Sequence, residues 1–290
     1  MLTKQLPDVA PTFGGATVTV TGLYHYPIKS CAGMALTEAT LDPRGIRHDR
    51  ELMVVDAATG TFLTQRESPR MALIAPRLDD RELRVTAPGV ASLTVPVLKA
   101  GATRPVTVWR DTVPAVDQGD AIAAWFSDFL GRACRLVRME ERFVRTLDPT
   151  YATGSGGQVG FADGFPVLLI AQESLHELNR RLAEPLSMNR FRPNIVIAGG
   201  APHGEDAVAR LRVGALEFDA TKACARCTIT LVDQATGQPG KEPLRAFAAY
   251  RRAERGVLFG QNLIHAATGT IRVGDPVEAL LMKEEEPVRA

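Results

Sequence analysis

From Thr17 onward the chain reads as short β-branched or apolar stretches separated by turn residues, a rhythm that restricts it to a β-rich fold. Thr17-Val18-Thr19-Val20-Thr21 is β-branched throughout, which suits a pleated, half-buried surface. Glu51–Asp56 and Thr61–Thr64 flank Ala57-Ala58-Thr59-Gly60, and Ala75–Leu78 and Leu83–Thr86 flank Asp79-Asp80, so both pairs read as hairpins. Leu93–Leu98, Pro105–Trp109 and Arg135–Arg138 continue the series. Strands at this spacing predict a β-barrel-like first lobe. In the second half, Phe165–Ala171 suits a buried strand. Asn194–Ala198 and Thr228–Val232 read as strands, and Leu211–Val213 with Leu216–Phe218 as a hairpin around Gly214-Ala215. Gly269–Val273 and Val277–Leu281 flank Gly274-Asp275-Pro276, and Phe259-Gly260-Gln261-Asn262 reads as a turn.

Helical spacing is confined to two places. Ile122, Trp125, Phe126, Phe129 and Leu130 recur at helical intervals, with Asp120 as cap and Gly131 as stop. Leu175, Leu178 and Leu182 follow the capping-box pair Ser174 and Glu177. Residues 141–160 turn polar and glycine-rich around Gly154-Ser155-Gly156-Gly157. The expected fold class is α+β, predominantly β: a barrel-like lobe over 16–138, a flexible connection over 139–160 and a second β-rich lobe with few helices over 161–283.

Lys and Arg number 34 against 33 Asp and Glu, a net charge of +1, which argues against a nucleic-acid binder. The run Phe165–Ala171 falls far short of the roughly 20 residues of a bilayer-spanning helix. Met1–Phe13 has no apolar stretch, so a signal peptide is not expected, and the chain reads as cytoplasmic without a membrane span. Four cysteines in 290 residues make no disulfide framework. What matters is whether one of them binds a metal or reacts.

Cys224-Ala225-Arg226-Cys227 admits several readings. A structural zinc site wants four ligands, and no second cysteine pair accompanies this one. A thioredoxin-like pair opens a helix, whereas Thr228-Ile229-Thr230 is strand-like. Cys227, Ile229 and Leu231 share strand parity and fit simple core packing. Alternatively, Arg226 holds a neighbouring thiolate, which suits a soft or high-valent metal completed by a cofactor. A second group is basic. Lys29 and Ser30 follow the first strand, Arg50 precedes another, and Arg192 with Asn194 precedes a third. An ammonium, a hydroxyl and guanidiniums suit a phosphate, and an asparagine amide suits the edge of a heterocycle.

These segments, in this order, resemble the MOSC family, and within it the amidoxime-reducing branch. The markers are Tyr26-Pro27-Ile28-Lys29-Ser30-Cys31, His48-Asp49-Arg50, Phe161-Ala162-Asp163-Gly164-Phe165-Pro166 and Asn189-Arg190-Phe191-Arg192-Pro193-Asn194. Ala223–Cys227 running to Val232-Asp233 is the most specific; Lys241–Leu244, Phe259–Asn262 and Val273–Pro276 complete the set. The resemblance implies the molybdopterin form of the molybdenum cofactor bound between two lobes. It implies Cys227 as molybdenum ligand and catalytic residue, and Lys29, Ser30, Arg50, Asp163, Arg192, Asn194 and Arg226 as cofactor-binding residues. It further implies reduction of N-hydroxylated small molecules with electrons from a separate ferredoxin-type, cytochrome b5-type or flavin-reductase partner. The alternative is a sulfur or cofactor carrier that uses Cys227 as a persulfide or ligand without turnover. Gly164 and Phe165 stand where relatives often carry hydroxyl residues, Leu231 where threonine is common, and Gln234 where proline is common.

Overall fold

The computed structural model describes residues 17–151, 157–254 and 256–283. The glycine-rich stretch Gly154–Gly156 and the acidic tail after Lys283 lie outside these residues. Among them, seven strands close into a barrel in the order Val167–Ala171, Ile195–Ala198, Val18–His25, Pro276–Met282, Val208–Val213, Leu216–Ala225 and Gly256–His265. The last strand pairs back onto the first, with Leu169 opposite Gln261 and Val167 opposite Leu263. Six of the staves come from the second half. The seventh, Val18–His25, is the chain's opening strand, paired with Ile195–Ala198 and Pro276–Met282. Its alternation buries Val18 and Val20, and with Leu23 they join Leu169, Ile197, Leu211 and Phe218 inside the barrel.

The rest of the first half forms smaller sheets. Leu52–Asp56, Cys134–Met139, Asp111–Asp117 and Thr103–Val108 make one of four strands, and Ala75–Leu78, Glu82–Ala87 and Val90–Pro96 one of three. The helix Asp120–Leu130 packs Ile122, Phe126 and Phe129 onto Leu52, Val54 and Leu136. It stops at Gly131 in the left-handed region, as expected, but Gly119 occupies the cap position and Asp120 instead pairs with Arg135. Among the described residues no helix is long and apolar enough to cross a membrane.

Tertiary bonds overrode several local expectations. Ser174 does not cap its helix: Gln172–Asn179 begins after Ala171, and the buried Ser174 hydroxyl donates to Glu205. Phe259–Asn262 is not a turn but lies inside the barrel strand Gly256–His265, where Gly260 takes φ +84° and a Cβ would strike the Leu169 carbonyl at 2.8 Å, so both backbone and space favour glycine. Gly269–Arg272 and Pro276–Met282 do not pair with each other; the former joins Glu38–Asp42, the latter the barrel. Thr228–Val232 is not a strand. Thr228–Leu231 forms a single 3-10 turn with Cys227 at its N-cap. The Thr230 hydroxyl donates to the Cys227 carbonyl at 2.9 Å, a side-chain bond that competes with a ladder. The parity reading fails with it: Thr230 is the buried residue, while Cys227, Ile229 and Leu231 are half-buried.

Candidate functional site

Leaving the barrel, the first strand enters the turn Tyr26–Cys31, whose backbone bonds to the segment Arg50–Leu52, and Arg50 in turn bonds to the second half of the chain. Lys29 N donates to Leu52 O at 2.8 Å, and Leu52 N to Pro27 O at 3.0 Å. Arg50 N donates to Tyr26 O at 2.8 Å, and Phe161 N to Arg50 O at 2.7 Å. Ser30, Arg50 and Arg192 hold φ of +66°, +48° and +56°, a region non-glycine residues seldom adopt and one that concentrates at functional sites. This backbone brings all eight residues singled out from the sequence, Lys29, Ser30, Arg50, Asp163, Arg192, Asn194, Arg226 and Cys227, onto one cavity of about 150 Å³. Gly164, Phe165 and Cys224 line it too.

The cations are held in different ways. Lys29 is buried, and its ammonium donates to the Phe161 carbonyl at 2.8 Å and pairs with Asp163. Burial pushes the Lys29 pKa down, with Asp163 opposing. For Asp163, burial acts upward, but the Lys29 charge and hydrogen bond together with the Trp109 indole hold it well below the usual carboxylate range. Arg50 pairs with Asp49 and donates to Asn194 Oδ1 at 3.2 Å. Arg192 donates to the Cys31 carbonyl at 2.6 Å. Both guanidiniums stand 4.2 Å from the Tyr26 ring centroid. Burial and then the Arg50 charge push Arg192 down to about 10. Arg226 donates to the Phe191 carbonyl at 2.7 Å and to Cys224 Sγ at 3.0 Å. Neither Arg192 nor Arg226 has a carboxylate partner among the described residues, so the cavity carries uncompensated positive charge that an anion would neutralise. Asn194 is largely committed to the fold: Oδ1 also accepts Leu168 N at 3.1 Å, and Nδ2 donates to Tyr24 O at 3.2 Å.

The cation beside Cys227 is not Arg226, whose guanidinium goes to Cys224. It is Arg66, whose Nη2 donates to Cys227 Sγ at 3.2 Å across 161 residues of chain. Sequence reasoning missed Arg66, and Trp109 with it. The Trp109 indole donates to Asp163 Oδ1 at 3.0 Å, and the Arg66 guanidinium lies 4.9 Å from a Trp109 ring centroid. Neither sits beside a marker residue in sequence, and only the docking of the two halves brings them there. Gln234 also has a function in the fold that a proline could not supply. It exchanges amide hydrogen bonds with buried Gln65 at 3.0 and 3.2 Å, while Gln65 also donates to Ser30 O at 2.7 Å. Cys31, by contrast, is fully buried, and burial pushes its thiol up to about 12. It stays a protonated core residue. Among the described residues no three His, Cys, Asp or Glu side chains cluster to hold a metal by themselves.

Residues 17–133 match the MOSC N-terminal beta barrel domain and residues 156–278 the MOSC domain. Mitochondrial amidoxime-reducing component 1 of Mus musculus is 35% identical over 283 residues, spanning 90% of this chain and 82% of that protein. The Homo sapiens protein of the same name is 34% identical over 282 residues, with 90% and 83% covered. Molybdenum cofactor sulfurase of Danio rerio is 32% identical over 274 residues, which is 87% of this chain but 32% of that protein. A chain that matches both domains in order and carries this likeness along nine-tenths of its length belongs to the MOSC family.

Proposed function

We propose that the chain binds the molybdopterin form of the molybdenum cofactor and reduces N-hydroxylated compounds such as amidoximes, hydroxylamines and N-hydroxylated bases. The observation that carries this reading is the pairing, in one cavity, of a half-buried thiol under a guanidinium with a cluster of cations short of anions. A phosphorylated pterin dithiolene needs cations at one end and, at its metal, one soft protein ligand at the other. The names of the relatives, amidoxime-reducing components and a molybdenum cofactor sulfurase, point the same way. The donor set fits the group: Lys29, Ser30, Arg50 and Arg192 would hold the phosphate and pterin, and Cys227 would ligate the metal.

When bound, the cofactor supplies a metal centre that takes up oxygen and exchanges two electrons. The overall reaction balances as R–NH–OH plus two protons and two electrons giving R–NH2 and water; the N–O bond breaks and the oxygen leaves as water. The electrons come from a separate redox protein of ferredoxin, cytochrome b5 or flavin-reductase type. The chain's own residues bind and orient. Arg192 and Arg50 place positive charge where the ligand's anion lies, in surroundings from which water is largely excluded. Asp163 holds the Lys29 ammonium in place until an anion competes for it. Phe165, Leu168 and Phe191 give the cavity apolar walls.

The test is molybdenum per chain by elemental analysis, on protein made in a cofactor-competent host, with Cys227→Ala beside it. Stoichiometric metal in the wild type, with loss or altered ligation and lost reductase activity in the variant, is expected. A folded wild type without molybdenum, carrying a 32-dalton adduct on Cys227, would replace this reading with the sulfur carrier.

A further inference from the structure

We propose that Arg66, contributed by the first half of the chain, is a positioning residue for the Cys227 sulfur: its guanidinium fixes the direction in which the sulfur faces the cavity, and so the ligation of a metal there. The inference rests on the reading of Cys227 as a metal ligand. Cys227 is half-buried at the N-cap of a single 3-10 turn, and among the described residues the hydrogen bond from Arg66 Nη2 at 3.2 Å is the one made to its sulfur. A cysteine side chain has three staggered rotamers, so without that bond the sulfur is free to turn. Arg226 is no substitute, since its two terminal nitrogens are engaged by Cys224 and by the Phe191 carbonyl.

Arg66 is itself aimed. The neighbouring Gln65 is locked to Gln234 by the reciprocal amide pair and to the Ser30 carbonyl, which fixes segment 64–66 against the loop that follows Cys227. Arg66 N donates to the Thr64 hydroxyl at 3.2 Å. The guanidinium rests against Trp109, whose indole holds Asp163, which in turn holds Lys29. A continuous run of contacts therefore joins the sulfur end of the cavity to its cation end. Arg66 does not line the cavity; it acts through Cys227. Partners that orient a metal ligand in this way typically change metal affinity 10- to 100-fold when removed.

The experiment compares wild type, Arg66→Met, Arg66→Lys and Cys227→Ala, each made in a cofactor-competent host. Two quantities are read: molybdenum retained per chain through dialysis, and the paramagnetic resonance spectrum of the molybdenum in partly reduced protein. Arg66→Met is expected to lose molybdenum about tenfold faster, with a broadened, shifted spectrum. Arg66→Lys keeps the charge without the planar fork, so it is expected to recover retention while its spectrum stays shifted. If Arg66→Met does not fold, Arg66→Lys against wild type decides on the spectrum alone. Wild-type retention and spectrum in both Arg66 variants, while Cys227→Ala changes both, would overturn the role of Arg66 and leave the ligand assignment standing. Cys227→Ala with unchanged metal and spectrum would overturn the ligand assignment itself, and the role of Arg66 with it.

Discussion

The two ends of the cavity are built on opposite principles. At the cation end Lys29, Arg192 and Asn194 are almost wholly buried, the backbone is closed by bonds between the two halves, and three non-glycine residues sit in the left-handed region. Each such residue costs of order 1–3 kcal/mol and persists only because its surroundings over-determine it. At the sulfur end Cys224 and Cys227 are half-buried, the first near the end of a barrel strand and the second at the N-cap of a single 3-10 turn, and their sulfurs are met by the side chains of Arg226 and Arg66. The cation end is therefore set rigidly when the chain folds, before any ligand arrives. The sulfur end is adjustable and owes its geometry to Arg66 and Gln65. Such a division suits a ligand whose charged tail needs a preformed socket and whose reacting end needs fine direction.

The sharpest way to break this comparison is at Arg192. Its charge is buried against Arg50 without a carboxylate, and burial and repulsion hold its pKa near 10. Arg192→Met removes that cost along with the bond to the Cys31 carbonyl, so the ligand-free fold should lose little stability. Binding should suffer far more. A hydrogen bond to a charged group contributes about 1.5–3 kcal/mol, so molybdenum retention, and the rise in melting temperature with added inorganic phosphate, should fall by tenfold or more. A large loss of stability in the ligand-free variant, with binding intact, would show that Arg192 serves the fold and not the anion.

A smaller effect is expected at Asp163. It is half-exposed, so water screens its pair with Lys29, and Asp163→Asn should cost at most about 1 kcal/mol at neutral pH. The sign with pH follows from the lowered carboxyl pKa. Asp163 contributes stability that is fully present above its unfolded value of about 3.9 and is lost as pH falls through the still lower folded value. The gap in unfolding free energy between wild type and Asp163→Asn should be constant from pH 8 to 5 and shrink below pH 4, as read by urea titration at each pH. A gap that does not shrink below pH 4 would mean that the carboxylate is not held by Lys29.

The sequence revealed the two ends unequally, for a physical reason. Lys29, Ser30, Arg50, Arg192 and Asn194 lie beside strand ends and turns, so local pattern placed them at a mouth. The structure does converge these residues on one cavity with Asp163, Arg226 and Cys227. At the sulfur end, local rules failed. The β-branched run after Cys227 reads as a strand, yet the Thr230 hydroxyl and the Gln65–Gln234 pair fold it into a turn. Arg226 was the adjacent cation by sequence, whereas Arg66 is the adjacent cation in space. Strands were likewise legible one at a time, but not the closure of the barrel, because the pairing of Val18–His25 with Ile195–Ala198 and Pro276–Met282 is set by contacts far apart in the chain. Asp111–Asp117 and Leu244–Tyr250 gave no periodic signal of their own, and both are placed by what they pack against.

The smallest expected effect is also the one that tests whether the two ends are bridged. Gly164 lies on the cavity wall. Its backbone is not in the left-handed region, and an added Cβ would meet nothing within 4 Å. That sets it apart from Gly199, where φ is +109° and a Cβ would lie 2.3 Å from the Thr17 carbonyl. The fold requires a glycine at 199 and does not require one at 164. Gly164→Ser should therefore leave stability within about 0.5 kcal/mol, as surface-like substitutions without strain do. The new hydroxyl can donate to a ligand between the cation end and the sulfur. One net hydrogen bond is worth about 0.5–1.5 kcal/mol, so molybdenum retention should rise roughly threefold to tenfold. A fall in retention at unchanged stability would carry the opposite lesson: the ligand passes so close to residue 164 that only a bare backbone admits it, and the glycine is then a requirement of the site even though the fold does not need it.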